Sequence, residues 1–383
     1  MSGAPGGRGV LAQTPQAAPR SPAAAPGGAR LRAALAGAAV PLLFTLLCVF
    51  GILVAHIGPG FLLRELLSRL GRNAVLVVSL LIPILAGLGL NFGIVLGAMA
   101  GQIAAILVTY WRIGGIAGFA LACLIAAPLA VVFGLGTGAL FNRSKGREMV
   151  TGLIAAFFAN GLYQLLLLFA IGSVIPWHDK AMLLPQGFGL RNTVDLWGIQ
   201  YALDDLIKVS VPIEGSPVRV PLVTFAFIAL VCAFNLFFQR TRLGQELRAM
   251  GQDPHVAATA GIRVDRNRVI ATVLSTLFAA WGQLFFLQNL GTLNTYSSHT
   301  DTGTFAVAAL MVSGATVSRA TVAQALLGAL LFHTLFVVSP LAGKALAGNA
   351  QIGEYFRVFV AYAVIAVALV LHAWQKGRAD ARG

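Results

Sequence analysis

The chain has 383 residues, of which 58% are hydrophobic and only 10% charged, and its mean hydropathy is +0.83. That composition excludes a soluble globular protein and predicts a polytopic membrane protein. The formal net charge of +14 does not point to nucleic acid, because the basic residues are scattered through short polar segments where they meet anionic membrane lipid.

Residues 1–33 are rich in Ala, Pro, Gly and Arg with almost no large apolar side chain, so they are expected to form a disordered cytoplasmic tail. Apolar runs of about the 20 residues needed to cross a bilayer then follow one another. They cover 34–57, 73–90, 93–111, 114–140, 150–173, 220–238, 269–290, 303–317, 320–339 and 356–373. The expected fold is an all-α polytopic membrane bundle of about ten transmembrane helices over residues 34–373. The first run is longer than the apolar core of a cleavable signal peptide and reads as a retained anchor. Between the first two runs, FLLRELLSRLGR at 61–72 carries a net charge of +2. It is expected to lie in the interface as an amphipathic helix, with Leu62, Leu63, Leu66, Leu67 and Leu70 toward lipid.

Basic residues stay on the cytoplasmic side. The tail to Arg32 holds four arginines, residues 141–149 three basic side chains, 239–268 six arginines, and 374–383 three basic residues. All four segments fall on one side if ten spans are present, which puts both termini, including the 374–383 tail, in the cytoplasm. The loop 177–219, with a net charge of −1, then lies outside. It is long enough to cap a pathway, and YALDDLIKV within it has helical character.

Glycines recur at Gly87, Gly89, Gly93, Gly97 and Gly101, a spacing that lets helix backbones approach closely. The same stretch, GLGLNFGIVLGAMAGQ at 87–102, is a candidate lining for a solute path, since broken helices at membrane depth occur beside protein or water. Asp, Glu, Lys and Arg are essentially missing from the run interiors, which argues against a proton relay. Amides remain: Asn91, Gln102, Asn160, Gln164, Gln283, Gln288, Asn289 and Gln324. They both donate and accept hydrogen bonds, which suits either helix contacts or an uncharged path for a polar solute. Asn91, Gln102, Asn160 and Gln164 are the expected pathway residues. The six histidines are spread one per region without metal-ligand spacing, and Cys48, Cys123 and Cys232 predict neither a disulfide framework nor a metal site. No GxxxxGK[ST], HExxH or GxSxG pattern occurs, so a non-enzymatic chain without a catalytic residue, bound metal or cofactor is expected.

The most informative polar segment is 239–268. Leu243, Leu247 and Met250 form a narrow apolar stripe on a short helix. Gly251 is placed to end that helix in the left-handed conformation. Asp253 is placed to cap a second helix with Pro254 at its first position, and Gly261 to stop it. Physics alone leaves two readings open, a slim knob entering a groove on a partner or a well-capped interfacial loop.

This stretch resembles the cytoplasmic loop of ABC-importer permeases of the branched-chain amino acid, ribose and nucleoside group. The resemblance rests on Thr241, Arg242, Gly244, Arg248, Ala249, Gly251, Pro254, Ala257, Ala258, Ala260, Gly261 and Ile262, and extends to 87–102 and to REMVTGLIAAFFANGL at 147–162. It departs at SGATVSR, 313–319, where sugar-type relatives have a glycine-richer turn. The resemblance implies a permease subunit in a bacterial inner membrane, with Arg242, Gly244, Arg248, Gly251, Asp253, Pro254, Ala257, Ala258, Gly261 and Ile262 coupling it to a separate ATPase that holds ATP and Mg. It further implies an extracytoplasmic solute-binding protein and a second permease subunit, identical or homologous. The solute class stays open among sugar, nucleoside, branched-chain amino acid and vitamin. The competing expectation is a secondary transporter or channel without an ATPase.

Overall fold

The computed structural model describes residues 27–213 and 216–380. The predicted tail lies outside them up to residue 26. The chain is already helical from Gly27, where α1 (Gly27–Val54) begins. α2 (Pro59–Ser79) and the short α3 (Leu81–Leu85) follow, then α4 (Ile94–Tyr110), α5 (Gly115–Arg143) and α6 (Glu148–Leu165), the last extended by a wider π turn over Leu166–Ala170. After the outer loop come α7 (Leu222–Phe238), α8 (Arg242–Gln252), α9 (Pro254–Thr259), α10 (Val264–Leu290), α11 (Ser298–Val312), α12 (Val322–Ala347) and α13 (Ala350–Asp380). Every predicted apolar run thus falls on a helix. Among the described residues, five uninterrupted segments are long and apolar enough to cross a membrane: α2 with α3, α5, α6 with its π turn, α10 and α12.

FLLRELLSRLGR is not a separate interfacial helix. It forms the first turns of α2, which runs on without a break to Ser79 and is wholly buried from Asn73 onward. Charged residues therefore enter the bundle, contrary to expectation, because α2 begins 14 residues before the predicted run and α13 six before its own.

α10 is the axis of the bundle and packs against α2, α4 and α5. Two of the predicted small residues explain the closeness of α4. A Cβ built on Gly97 would overlap the Thr276 carbonyl oxygen, and one on Gly101 the Ala280 carbonyl oxygen, so only glycine admits this approach.

Two ends can be distinguished. At one, residues 171–213 and 216–221 form a small cap whose Met182, Leu183, Leu190, Leu196, Ile199 and Leu203 share one apolar core with α4, α5 and α10. Strand β1 (Thr193–Asp195) pairs antiparallel with β4 (Thr292–Asn294), directly after α10, and β2 (Lys208–Ile213) pairs with β3 (Ser216–Pro221) in a hairpin. YALDDLIKV is therefore not helical: it turns at Tyr201–Leu206 and enters β2, whose Val209 and Val211 suit a strand better than a helix. The opposite end carries α8 and α9. Its α5–α6 turn is fixed by Arg268 of α10, whose Nη2 lies 2.5 Å from Glu148 Oε1 and 3.0 Å from the Phe141 carbonyl oxygen, both ion-pair partners being buried.

Candidate coupling helix and polar pathway

The segment after α7 folds on local signals. Thr241 caps α8 by accepting from the Gly244 N–H at 3.2 Å, and the chain bends by 71° between α7 and α8. Gly244 sits in that corner, where a Cβ would overlap the Phe238 carbonyl. Leu247 and Met250 are buried and Leu243 packs beside them, so the predicted stripe fastens α8 to the bundle. On the outer side Arg242 pairs with Glu246 at 3.0 Å, and Asn267 of α10 donates to the other Glu246 oxygen at 2.9 Å. The Asn267 bond first, then Arg242, hold Glu246 below the usual carboxylate range. Arg248 faces solvent.

Asp253 accepts from the backbone N–H groups of His255 and Val256 at 2.8 and 3.0 Å, with Pro254 in the first position of α9. These bonds, Val256 first, hold its carboxyl below the ordinary range. Ala257 is buried, Val256 and Ala258 point outward, Gly261 leaves the helix at φ +83° and Ile262 packs back onto the core.

Gly251 plays a different part from the predicted helix stop. α8 continues through Gln252, and Gly251 has no left-handed backbone. Glycine is required instead by proximity: a Cβ on Gly251 would overlap the Leu85 carbonyl oxygen and lie 3.0 Å from the Gly87 nitrogen. Gly87, itself at φ +74°, would place a Cβ 2.8 Å from Gly251 Cα. The end of α8 thus rests backbone on backbone against the turn leading from α3 to α4.

Three of the four predicted pathway residues converge on a histidine that no local pattern in the sequence marks. His299, at the start of α11, has Nδ1 3.2 Å from Gln102 Oε1 and Nε2 2.9 Å from Asn160 Oδ1. Gln102 Nε2 also donates to Tyr163 Oη at 2.8 Å and to the Thr295 carbonyl at 2.6 Å, while Gln164 donates to Asn160 Oδ1 and the Tyr296 carbonyl, both at 3.4 Å. α4, α6 and α11 are thereby brought together through uncharged groups, and because a neutral imidazole carries a single N–H, His299 donates to one of the two amide oxygens at a time; Asn160 and Gln164 are half-buried and Gln102 fully so. Asn91 stands apart, donating to Ser275 at 3.2 Å beside Gly93 and Thr137 near the α8 end. The remaining amides are structural. Gln324 completes a capping box with Thr321 at the start of α12, and Gln283 ties α10 to Ser298 and Thr302 of α11. Gln288 and Asn289 donate to Asp204, which also accepts from Thr224. Asp204 therefore pins the cap to α7 and α10; nothing local in YALDDLIKV marks it, because its partners are 20 to 85 residues away.

Residues 74–369 match the family described as branched-chain amino acid transport system / permease component. The ribose import permease protein RbsC of Escherichia coli (strain K12) is 24% identical over 269 residues, 69% of this chain and 74% of that protein. The nucleoside ABC transporter permease protein NupB of Lactococcus lactis subsp. cremoris (strain MG1363) is 24% identical over 294 residues, 73% and 75% of the two chains. The autoinducer 2 import system permease protein LsrC of Enterobacter sp. (strain 638) is 26% identical over 253 residues, 64% and 62% of the two. No solved structure matches the chain. With its apolar helices and this match over most of its length, the chain is a multi-pass membrane protein that belongs to the branched-chain amino acid transport permease family, the ABC-importer permeases its α8–α9 loop resembles.

Proposed function

We propose that this permease is the membrane-spanning subunit of an ATP-driven importer in a bacterial inner membrane, carrying a small polar solute by alternating access. A separate ATPase, which holds ATP and Mg, engages α8–α9 through Arg242, Arg248, Asp253, Pro254 and Ala258, while Gly244, Gly251, Ala257, Gly261 and Ile262 seat the pair on the bundle. A solute-binding protein docks on the cap, and a second permease, identical or homologous, completes the path. Alternation of the helices between the cap end and the α8 end supports ten passes with both termini beside α8–α9. Gln102, Asn160 and Gln164, linked by His299, offer donors and acceptors without charge, which suits a hydroxyl-bearing solute. Relatives named for ribose, autoinducer 2 and nucleosides support the same class.

The observation that carries this reading is the backbone contact between Gly251 and Leu85–Gly87, which transmits any push on α8 directly to the α3–α4 turn. Gly251→Val in proteoliposomes with the cognate ATPase and binding protein tests it. Solute uptake is expected to fall by about 5- to 150-fold, the range of ordinary site-to-site coupling, with membrane insertion and ATP hydrolysis retained. Undiminished uptake by the variant removes α8 from the mechanism. Wild-type uptake that persists without ATP favours a secondary transporter.

A further inference from the structure

A groove of about 620 Å³ opens at the elbow between α7 and α8, lined by Arg242, Leu243 and Glu246 of α8 and by Arg263, Arg266 and Ile270 at the start of α10. Three guanidinium groups there meet one carboxylate. Glu246 is already engaged through both oxygens, one by Arg242 at 3.0 Å and the other by Asn267 at 2.9 Å. Asp265, next to Arg266 in the chain, pairs with Lys145 at 2.6 Å. Among the described residues the guanidinium groups of Arg263 and Arg266 have no hydrogen bond or ion pair. The groove therefore carries an uncompensated positive charge above a floor made of Leu243 and Ile270.

The floor continues away from the arginines. Ile270, Leu274, Leu277 and Trp281 follow at spacings of four, three and four, which sets them on one face of α10, and each is only half-buried. Arg263 and Arg266 lie on that same face, seven and four residues before Ile270. α5 flanks the stripe, accepting at its Cys123 carbonyl from Trp281 Nε1 at 3.3 Å. α7 packs chiefly on α2 and reaches α10 through rings, with Phe227 6.5 Å from Trp281 and Phe234 5.2 Å from Phe278 between centroids. At roughly 40 Å, α10 is longer than the ~30 Å hydrocarbon layer, so its first turn lies among lipid headgroups. A charged pocket at headgroup level thus opens onto an apolar strip running into the membrane.

We propose that this groove holds the headgroup phosphate of an anionic phospholipid, whose acyl chains lie along the Ile270–Trp281 stripe. Guanidinium forks match phosphate oxygens, and a headgroup with net negative charge answers the surplus of arginine over glutamate. A soluble phosphate would use the arginines and leave the stripe idle. Because Arg242 stands one residue beyond the bend, a lipid held here braces α8 where it leaves α7.

The test is thermal unfolding of the full-length chain in neutral detergent, titrated separately with phosphatidylglycerol, a neutral glycolipid with the same acyl chains, glycerol phosphate and an oligoglutamate peptide. Phosphatidylglycerol is expected to raise the wild-type midpoint by about 2–4 °C and the other three to leave it unmoved. The double variant Arg263→Gln/Arg266→Gln, altered only at exposed side chains, is expected to fold as the wild type does and to lose the shift. Arg143→Gln/Arg147→Gln removes the same charge from the exposed α5–α6 turn and is expected to keep it. An equal shift with the glycolipid, or equal losses in the two double variants, overturns the site. A shift with glycerol phosphate or the peptide that the groove variant abolishes gives the groove to a soluble or protein partner and overturns the lipid. The assay needs neither ATPase nor uptake, so its failure leaves the importer reading standing.

Discussion

The two ends of the bundle are joined by different kinds of contact. At the α8 end, Gly251 meets Leu85–Gly87 backbone on backbone, and Arg268 locks the α5–α6 turn through a buried ion pair. At the cap end, Gln102, His299, Asn160 and Gln164 are joined by neutral side-chain hydrogen bonds. Backbone contacts without slack transmit displacement, whereas amide and imidazole bonds exchange partners at little cost. The first arrangement suits a lever and the second a passage for a polar solute.

The contrast can be broken most forcefully at Arg268. Arg268→Ala leaves Glu148 buried and unpaired and is expected to cost about 3–5 kcal/mol, read from denaturant unfolding in detergent. A loss no larger than that of an exposed arginine would show that the α8 end is not held rigidly. His299→Ala sharpens the other side. It leaves the buried Gln102 Oε1 without its partner and Asn160 with Gln164 alone, and is expected to cost about 1–3 kcal/mol while lowering uptake more than ATP hydrolysis per transporter. A variant with unchanged solute affinity and uptake would make this network a helix clamp only. The smallest effect is at Asp253, where Asp253→Ala should speed amide exchange at His255 and Val256 without unfolding the bundle. Acid should act likewise. Because the folded Asp253 pKa lies below its ordinary value, the cap's contribution is complete above that ordinary value and is lost as pH falls through the depressed one. Exchange in α9 that ignores pH across that window would remove the carboxylate from the cap.

Local signals in the sequence are legible where their partners lie within a few residues. The Asp253–Pro254 cap, the Leu243–Leu247–Met250 stripe and the glycine spacing at 97–101 all stand as predicted. Gly251 illustrates the limit: a glycine near a helix end reads as a left-handed stop, yet its neighbour is a backbone more than 160 residues earlier in the chain. FLLRELLSRLGR reads as interfacial because its charge is visible and the helix that carries it inward is not. His299 carries no local signal because its partners sit 139 and 197 residues away on α6 and α4.

Membrane class, helix-forming runs and the slim capped pair after α7 follow from hydropathy, periodicity and capping chemistry, which act over a few turns of chain. Which amides meet and which glycine is a contact rather than a stop are decided by packing between helices. The physical reason is that hydrogen bonds and close backbone contacts act over a few ångströms, while the residues making them are separated by most of the chain's length.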